Sequence, residues 1–331
     1  MGTNNFKAFA AAAGANVMTQ ADYEALAALL TGFVSGTAQS AQLNKVWRQS
    51  SIISAVLAQF IVDLTGQDAI DDGTTTNLLA NLKAAVQAQS AAVVGQARSV
   101  VMSVTAASTT ATLTADEIIV GTALGGQKYL LKQFSKTVNL ATTGAGGMDT
   151  GAAPTSGYVA LYAIYNPTTG TSALLATNAT NATQPNVYGG VSMPIGYTAS
   201  ALVSVWPTNS SGQLVIGLQT DRSVAIVFQL VLNSSVQQSS ATALSISGVV
   251  PKNARSISGS MSVNSTSSGT LSINISGSIS RVGEEGLTIV SSGGSSPYSK
   301  VAIGASQTLY YLATVTAGTP IFQIYVSAYE F

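Results

Sequence analysis

Histidine and cysteine are both absent from this 331-residue chain. Without cysteine there is no disulfide framework and no thiolate metal site. Without histidine the commonest general base and the commonest metal ligand are missing, and a Ser-His-Asp triad cannot be assembled. Charge is scarce as well: charged residues are 8% of the chain, against roughly 25% in an ordinary domain. The 13 basic and 13 acidic residues cancel, and no two basic residues are adjacent. Nucleic-acid binding draws on clustered Lys and Arg to displace counterions, so it is disfavoured. The longest basic grouping, Lys128, Lys132 and Lys136, reads as a solvated strand or loop edge. No apolar run reaches the length of a membrane span. Ile52 to Leu64 is interrupted by Ser54, Gln59 and Asp63, which leaves it too short and too polar to span a bilayer. The small-residue run Ala8 to Ala15 has no Leu, Ile or Val core, so no targeting signal is expected. If such a chain leaves its cell, it is expected to do so as part of a particle.

What remains is apolar, at 46%, with much of the balance in Ser, Thr, Gly and Asn. Disorder requires low hydrophobicity with high net charge, and the chain has neither. A surface of hydroxyls and amides suits extended β structure and assemblies that share surface between subunits.

Helical signals are concentrated in the first ninety residues. Thr19 to Asp22 approximates a capping box ahead of Tyr23, Leu26, Leu29 and Leu30, and Thr31-Gly32 supplies a stop. A second helix is expected from near Ser40 to Leu64, ending before Thr65-Gly66. Its apolar positions Val46, Ile53, Val56/Leu57, Phe60 and Leu64, with Trp47 beside them, recur at intervals of three and four. That spacing fits either the core of a small bundle or a self-associating seam. A third helical stretch holds Leu78, Leu79, Leu82 and Val86.

From about residue 100 the period becomes two, and many short strands separated by turn residues follow. The expected fold class is α+β and multidomain: an N-terminal α-helical anchor followed by mainly-β antiparallel sandwich or jelly-roll modules. The boundaries read as a helical attachment and trimerisation domain at 1–90 and a neck or connector at 91–127. A β-sandwich module at 128–222 and a C-terminal β-sandwich tip at 223–331 complete the chain. Within the β region, 193–216 aligns without a gap onto 250–273, an offset of 250 − 193 = 57, with Pro, Gly, Leu and Ile coinciding. This pattern marks either two related modules or two hairpins that obey the same strand rules.

Three clusters invite a chemical reading. Gly144 to Gly147 has the glycine content of a phosphate loop, but no Lys-Ser/Thr and no helix pattern follow it. Asp68, Asp71 and Asp72 beside Gly73 lack EF-hand spacing and read as a charged turn. Glu284-Glu285 is the one carboxylate pair of the C-terminal half, with Asp149 and Asp221 as other acidic candidates. A glycosidase needs two carboxylates facing across a bond, which neighbours in sequence do not supply. No catalytic residue, metal site or cofactor is therefore expected. Aromatic residues gather near the end, where Tyr310, Phe322 and others on alternating strands read as core. Tyr298, in the Ser- and Gly-rich stretch Ser291 to Ser299, reads as exposed among hydroxyls, the setting of a sugar site.

The first ninety residues resemble the attachment region of tail fibres from Mu-like and related bacteriophages. The resemblance lies in Met1-Gly-Thr-Asn-Asn-Phe-Lys7, Gln20-Ala-Asp-Tyr-Glu-Ala-Leu26 and Ser40-Ala-Gln-Leu-Asn-Lys-Val-Trp-Arg-Gln-Ser-Ser-Ile52. Phe134 to Gly151 and Gly196 to Pro207 are similar to recurrent phage and prophage tail-fibre modules, and Val250 to Arg255 and Tyr325 to Phe331 resemble fibre tips more loosely. The resemblance implies a homotrimer in the virion tail, made in the cytoplasm of a bacterial host. Its N-terminus would be held by a tail-tip or baseplate protein. Its C-terminus would contact a surface glycan such as lipopolysaccharide, or an outer-membrane receptor. On this reading the anchor and trimer helix carries Val46, Trp47, Ile53, Leu57, Phe60 and Leu64, and receptor contact falls to Asn264, Ser268, Arg281, Glu284, Glu285 and Tyr298. Two other functions fit the same residues: a polysaccharide depolymerase with carboxylates meeting across a groove, and a purely structural baseplate component.

Overall fold

The computed structural model describes residues 2–36, 39–88 and 92–331. The chain divides into two compact units, Met1–Ala91 and Ala92–Phe331. Antiparallel β structure dominates, with 45% of the chain in strands and 14% in helices.

In the first unit, helix α1 spans Gln20–Glu24 and α2 spans Ala28–Thr31. The Thr19 hydroxyl caps α1 by accepting from the Asp22 amide at 3.2 Å, and Gly32 closes α2 at φ 76°. The long helix α3 covers Ser40–Thr65 and ends at Gly66 in the left-handed conformation, the usual way to stop an α-helix. Helix α4 is Thr76–Ala88. Ala58, Ile61 and Val62 of α3, spaced at i, i+3 and i+4, form a small core with Ala69 and Ala85. Phe6, Phe60, Leu64, Leu78 and Leu82 pack around it. The leading segment is tied down by backbone bonds, Ala69 N–H to Thr3 O at 2.8 Å and Asn5 N–H to Ala69 O at 3.3 Å.

The second unit holds fourteen strands: β1 Ala97–Arg98, β2 Val101–Val104, β3 Thr110–Gly121, β4 Lys128–Asn139, β5 Tyr158–Asn166, β6 Thr171–Asn178 and β7 Ala199–Pro207. There follow β8 Gly217–Thr220, β9 Ser223–Ser234, β10 Gln238–Ser245, β11 Ser256–Ser276, β12 Glu285–Ala302, β13 Thr308–Val315 and β14 Pro320–Glu330. Hydrogen-bonded neighbours run β10-β13-β11-β14-β9-β8-β2-β3-β7-β5-β6, with β12 added on β11 and β1 and β4 on β3. Strands with a solvent face alternate: in β3, Ala111, Leu113 and Ala115 are buried and the threonines between them are not. β5 and β7 are buried along nearly their whole length, as their near-continuous apolar sequences require.

The expected boundaries at 127/128 and 222/223 fall in hairpin turns whose strands pair across them, β3 with β4 and β8 with β9. Side chains also bridge the flanking stretches. Tyr329 donates its hydroxyl to Val205 O at 2.6 Å, and Tyr158 donates to Ser247 O at 3.1 Å. Asn253 and Gln184 exchange two bonds of 2.9 Å. The aligned segments of the internal similarity open strands at equivalent positions, since β11 begins at 256 and β7 at 199, and 256 − 199 = 57. They then diverge: 208–213 is a turn, whereas 265–270 is a bend inside β11.

The sequence pattern places separate strands at 255–263 and 270–277, with loops at 264–268 and 291–299. The structure corrects this, because β11 and β12 form one long hairpin through both stretches. Four residues of β11 stand opposite one of β12 where the register passes from Asn264↔Gly293 to Gly269↔Ser291. At that bend β11 changes its other neighbour, from β14 along 256–265 to β13 along 271–276. Pro297, which has no N–H to give, is accommodated because β12 pairs only with β11 and so is an edge strand.

Candidate functional site

Each sequence-selected position has a defined place. On α3, Val46, Phe60 and Leu64 are half-buried, while Trp47, Ile53 and Leu57 are exposed. Phe9 meets the Trp47 ring edge-on at 5.7 Å. Leu43, Val46, Ser50, Ile53, Leu57, Phe60 and Leu64 are spaced alternately by three and four, which is a heptad seam. Its lower end packs into the small core, and its middle does not: Ile53 is 61% exposed and Val56 beside it 58%. In an isolated helical unit this leaves an apolar stripe facing water.

The residues selected for receptor contact are not all together. Asn264 and Ser268 are exposed and flank the bend of β11. Arg281, at φ 61°, lies in the turn between β11 and β12. Its Nε and Nη2 both donate to the Glu284 carboxylate, the second at 2.6 Å, and Asn274 adds an amide bond of 2.9 Å to the same group. The guanidinium beside it holds the Glu284 carboxyl below the usual carboxylate range. Glu285 accepts from the Ser299 amide at 3.2 Å.

Tyr298 is a correction. It is 3% exposed rather than open to solvent, and its hydroxyl donates to Tyr325 O at 2.6 Å. Gly259, opposite it in register, leaves the space its ring occupies. Burial raises its pKa well above the usual value for tyrosine.

The other acidic candidates serve the fold. Asp149 accepts from Thr177 and Tyr188 hydroxyls, each at 2.8 Å, and burial with this bond pushes the Tyr188 phenol up to about 12. Asp221 sits in the two-residue β8–β9 turn and accepts from the Val100 amide at 3.1 Å. Asp68 accepts from Thr3 N–H at 2.6 Å, and Asp71 and Asp72 accept from Gly73 and Thr74. In the glycine loop the Gly146 amide bonds Leu174 O at 2.7 Å, so it is not turned to a phosphate. Register places Glu117 directly opposite Lys132, relieving a lysine row that the sequence shows without acidic neighbours. Among the described residues no group of three or more acidic side chains stands together as a metal site.

The exposed ring among hydroxyls and amides is found elsewhere, on the outer face of β9, β14 and β11. Partners in antiparallel register share a face. One row is therefore Leu230, Tyr325, Ser260 and Pro297, and the next is Asn233, Gln323, Ser262 and Ser295. Phe228 meets the Tyr325 ring at 6.3 Å in a T-shaped contact and is itself 58% exposed. The Ser262 hydroxyl donates to Gln323 Oε1 at 3.3 Å. The opposite face is core: Met261, Val263, Phe322 and Ile324 are buried. Neither row carries a charge. The sequence Val224-Ala-Ile-Val-Phe-Gln-Leu-Val-Leu232 hides this site, because a nearly unbroken apolar run reads as a strand buried on both faces.

No protein-family model matches the chain, and no curated protein matches it significantly.

Proposed function

We propose that this chain is a non-enzymatic bacteriophage tail fibre, a homotrimeric structural protein of the virion tail made in the host cytoplasm. Residues 1–90 hold it to a tail-tip or baseplate protein, and the C-terminal β structure touches a bacterial surface glycan or outer-membrane receptor. The observation that carries the reading is α3. The segment Ser40 to Ile52, which resembles phage attachment regions, opens a 26-residue helix whose seam continues into exposed Ile53, Val56 and Leu57. Three copies packed along that seam would remove the stripe from water. A charge-poor surface is consistent with this, since a three-fold axis brings identical charges together.

The finer architecture belongs to the same reading. On this reading the β10-β13-β11 and β11-β14-β9 neighbourhoods of the one hydrogen-bonded strand order would form two layers of a sandwich, turned at the bend within β11, as strands that switch sheets do. The carboxylates that a depolymerase would need are each engaged by neighbouring donors, which favours adhesion over cleavage. Antibodies against the purified chain should decorate the tail ends of the phage particles whose genome encodes it. Particles that lack the chain altogether would contradict the assignment.

A further inference from the structure

We propose that the outer face of β9, β14 and β11 is a glycan site, centred on Phe228 and Tyr325 and selective for uncharged hexose-containing polysaccharide. The inference rests on the tail-fibre reading and gives that reading a surface and a ligand chemistry. Phe228 stands on the face with most of its ring free, held edge-on by Tyr325 at 6.3 Å. A pyranose presents an apolar C–H face to such a ring, and its hydroxyls then reach sideways for hydrogen bonds. Those partners stand one row away. Gln323 and Asn233 are register partners and offer amides, and the Ser262 hydroxyl already bonds Gln323.

Charge decides the ligand class. No Lys, Arg, Asp or Glu lies in either row, so a phosphate or carboxylate on the ligand would lose water without gaining a counter-charge. Neutral sugars carry no such penalty. The face is also backed by buried Met261, Val263, Phe322 and Ile324, so it is preorganised.

The test applies the full chain to immobilised mannan, galactan and dextran, with alginate and dextran sulfate as anionic arms. Retention is expected on at least one neutral matrix and on neither anionic one. Phe228→Ala should weaken that retention by about tenfold or more, and Phe228→Tyr should restore it. Failure of every neutral matrix, or wild-type binding by Phe228→Ala, overturns the site. So does a change in sedimentation with Phe228→Ala, which would make the face a contact between copies. The two readings fail separately. If the wild-type chain binds cells and Phe228→Ala binds them equally well, the site is wrong and the adhesin reading stands. If the wild-type chain ignores cells, the adhesin reading itself fails.

Discussion

The hydroxyl of Tyr298 reaches across β11 to donate to the backbone carbonyl of Tyr325 at 2.6 Å. It does so over Gly259, which faces Tyr298 in one neighbouring strand and Val326 in the other. A Cβ on Gly259 would stand 2.7 Å from the Tyr298 oxygen and far closer than contact to the Tyr325 carbonyl. Gly259→Ala is therefore expected to destabilise the β unit by about 3 kcal/mol or more, because backbone has to move. Tyr298→Phe removes one hydrogen bond and should cost about 1 kcal/mol. Urea unfolding of both variants checks the ranking, and an unchanged midpoint for Gly259→Ala would contradict it.

The β11–β12 hairpin is folded back on itself. Gly304 N–H bonds Gly277 O at 3.0 Å, joining the region beyond its tip to the region beyond its base. The Gly277 position has no room for a Cβ against Ala302 O. Hydrogen exchange should find the Gly304 amide protected in the native chain and exposed in Gly277→Ala. Equal protection in the two would show that the fold-back is not fixed there.

The seam on α3 separates two kinds of residue. Ile61→Ala cuts into the small core and is expected to destabilise the helical unit by about 2–4 kcal/mol. Ile53→Asp and Leu57→Asp change exposed positions, so they should keep the helix and abolish self-association. Light scattering should give three times the 33.5 kDa chain mass for the native protein and one for the Asp variants. A native monomer would contradict the seam.

Stability should be flat from about pH 6 to 9, since histidine and cysteine are absent. Burial raises the pKa values of Tyr158, Tyr162, Tyr298 and Tyr329, and holds Tyr188 up at about 12. The unfolded chain therefore gives up these protons first, near pH 10, and stability falls as pH rises from there through the folded values. On the acid side, the Arg281 bond depresses Glu284 and the Lys300 bond depresses Glu330. Their contribution is present above the ordinary glutamate value and is lost as pH falls through the folded one. Melting temperature against pH checks both limbs, and NMR titration of Arg281→Ala should return Glu284 toward the ordinary value.

The helices were legible because their punctuation is local. Thr19, Gly32 and Gly66 act within one turn of where they stand. Strand positions were legible wherever apolar and hydroxyl residues alternate, as in β3 and parts of β11. The long hairpin was not, because Ser291 to Ser299 and Asn264 to Ser268 have the composition of loops. Ser291 to Ser299 is strand only because distant β11 pairs along it, and Asn264 and Ser265 because β14 does, whereas 266–268 interrupt the ladder without ending β11. The same cause misplaced the exposed ring. Tyr298 is hidden by a glycine 39 positions earlier, 298 − 259, and Phe228 is left in solvent inside an apolar run. Both facts belong to pairing, which one-dimensional pattern does not encode.

The most direct test of the whole account is the binding of the purified full-length chain to intact Gram-negative cells, measured before and after their surface polysaccharide is stripped. The account predicts saturable binding strengthened by three copies per fibre and lost with the polysaccharide. A chain that binds no cells would contradict the adhesin reading, and one that binds stripped and intact cells alike would contradict the glycan site.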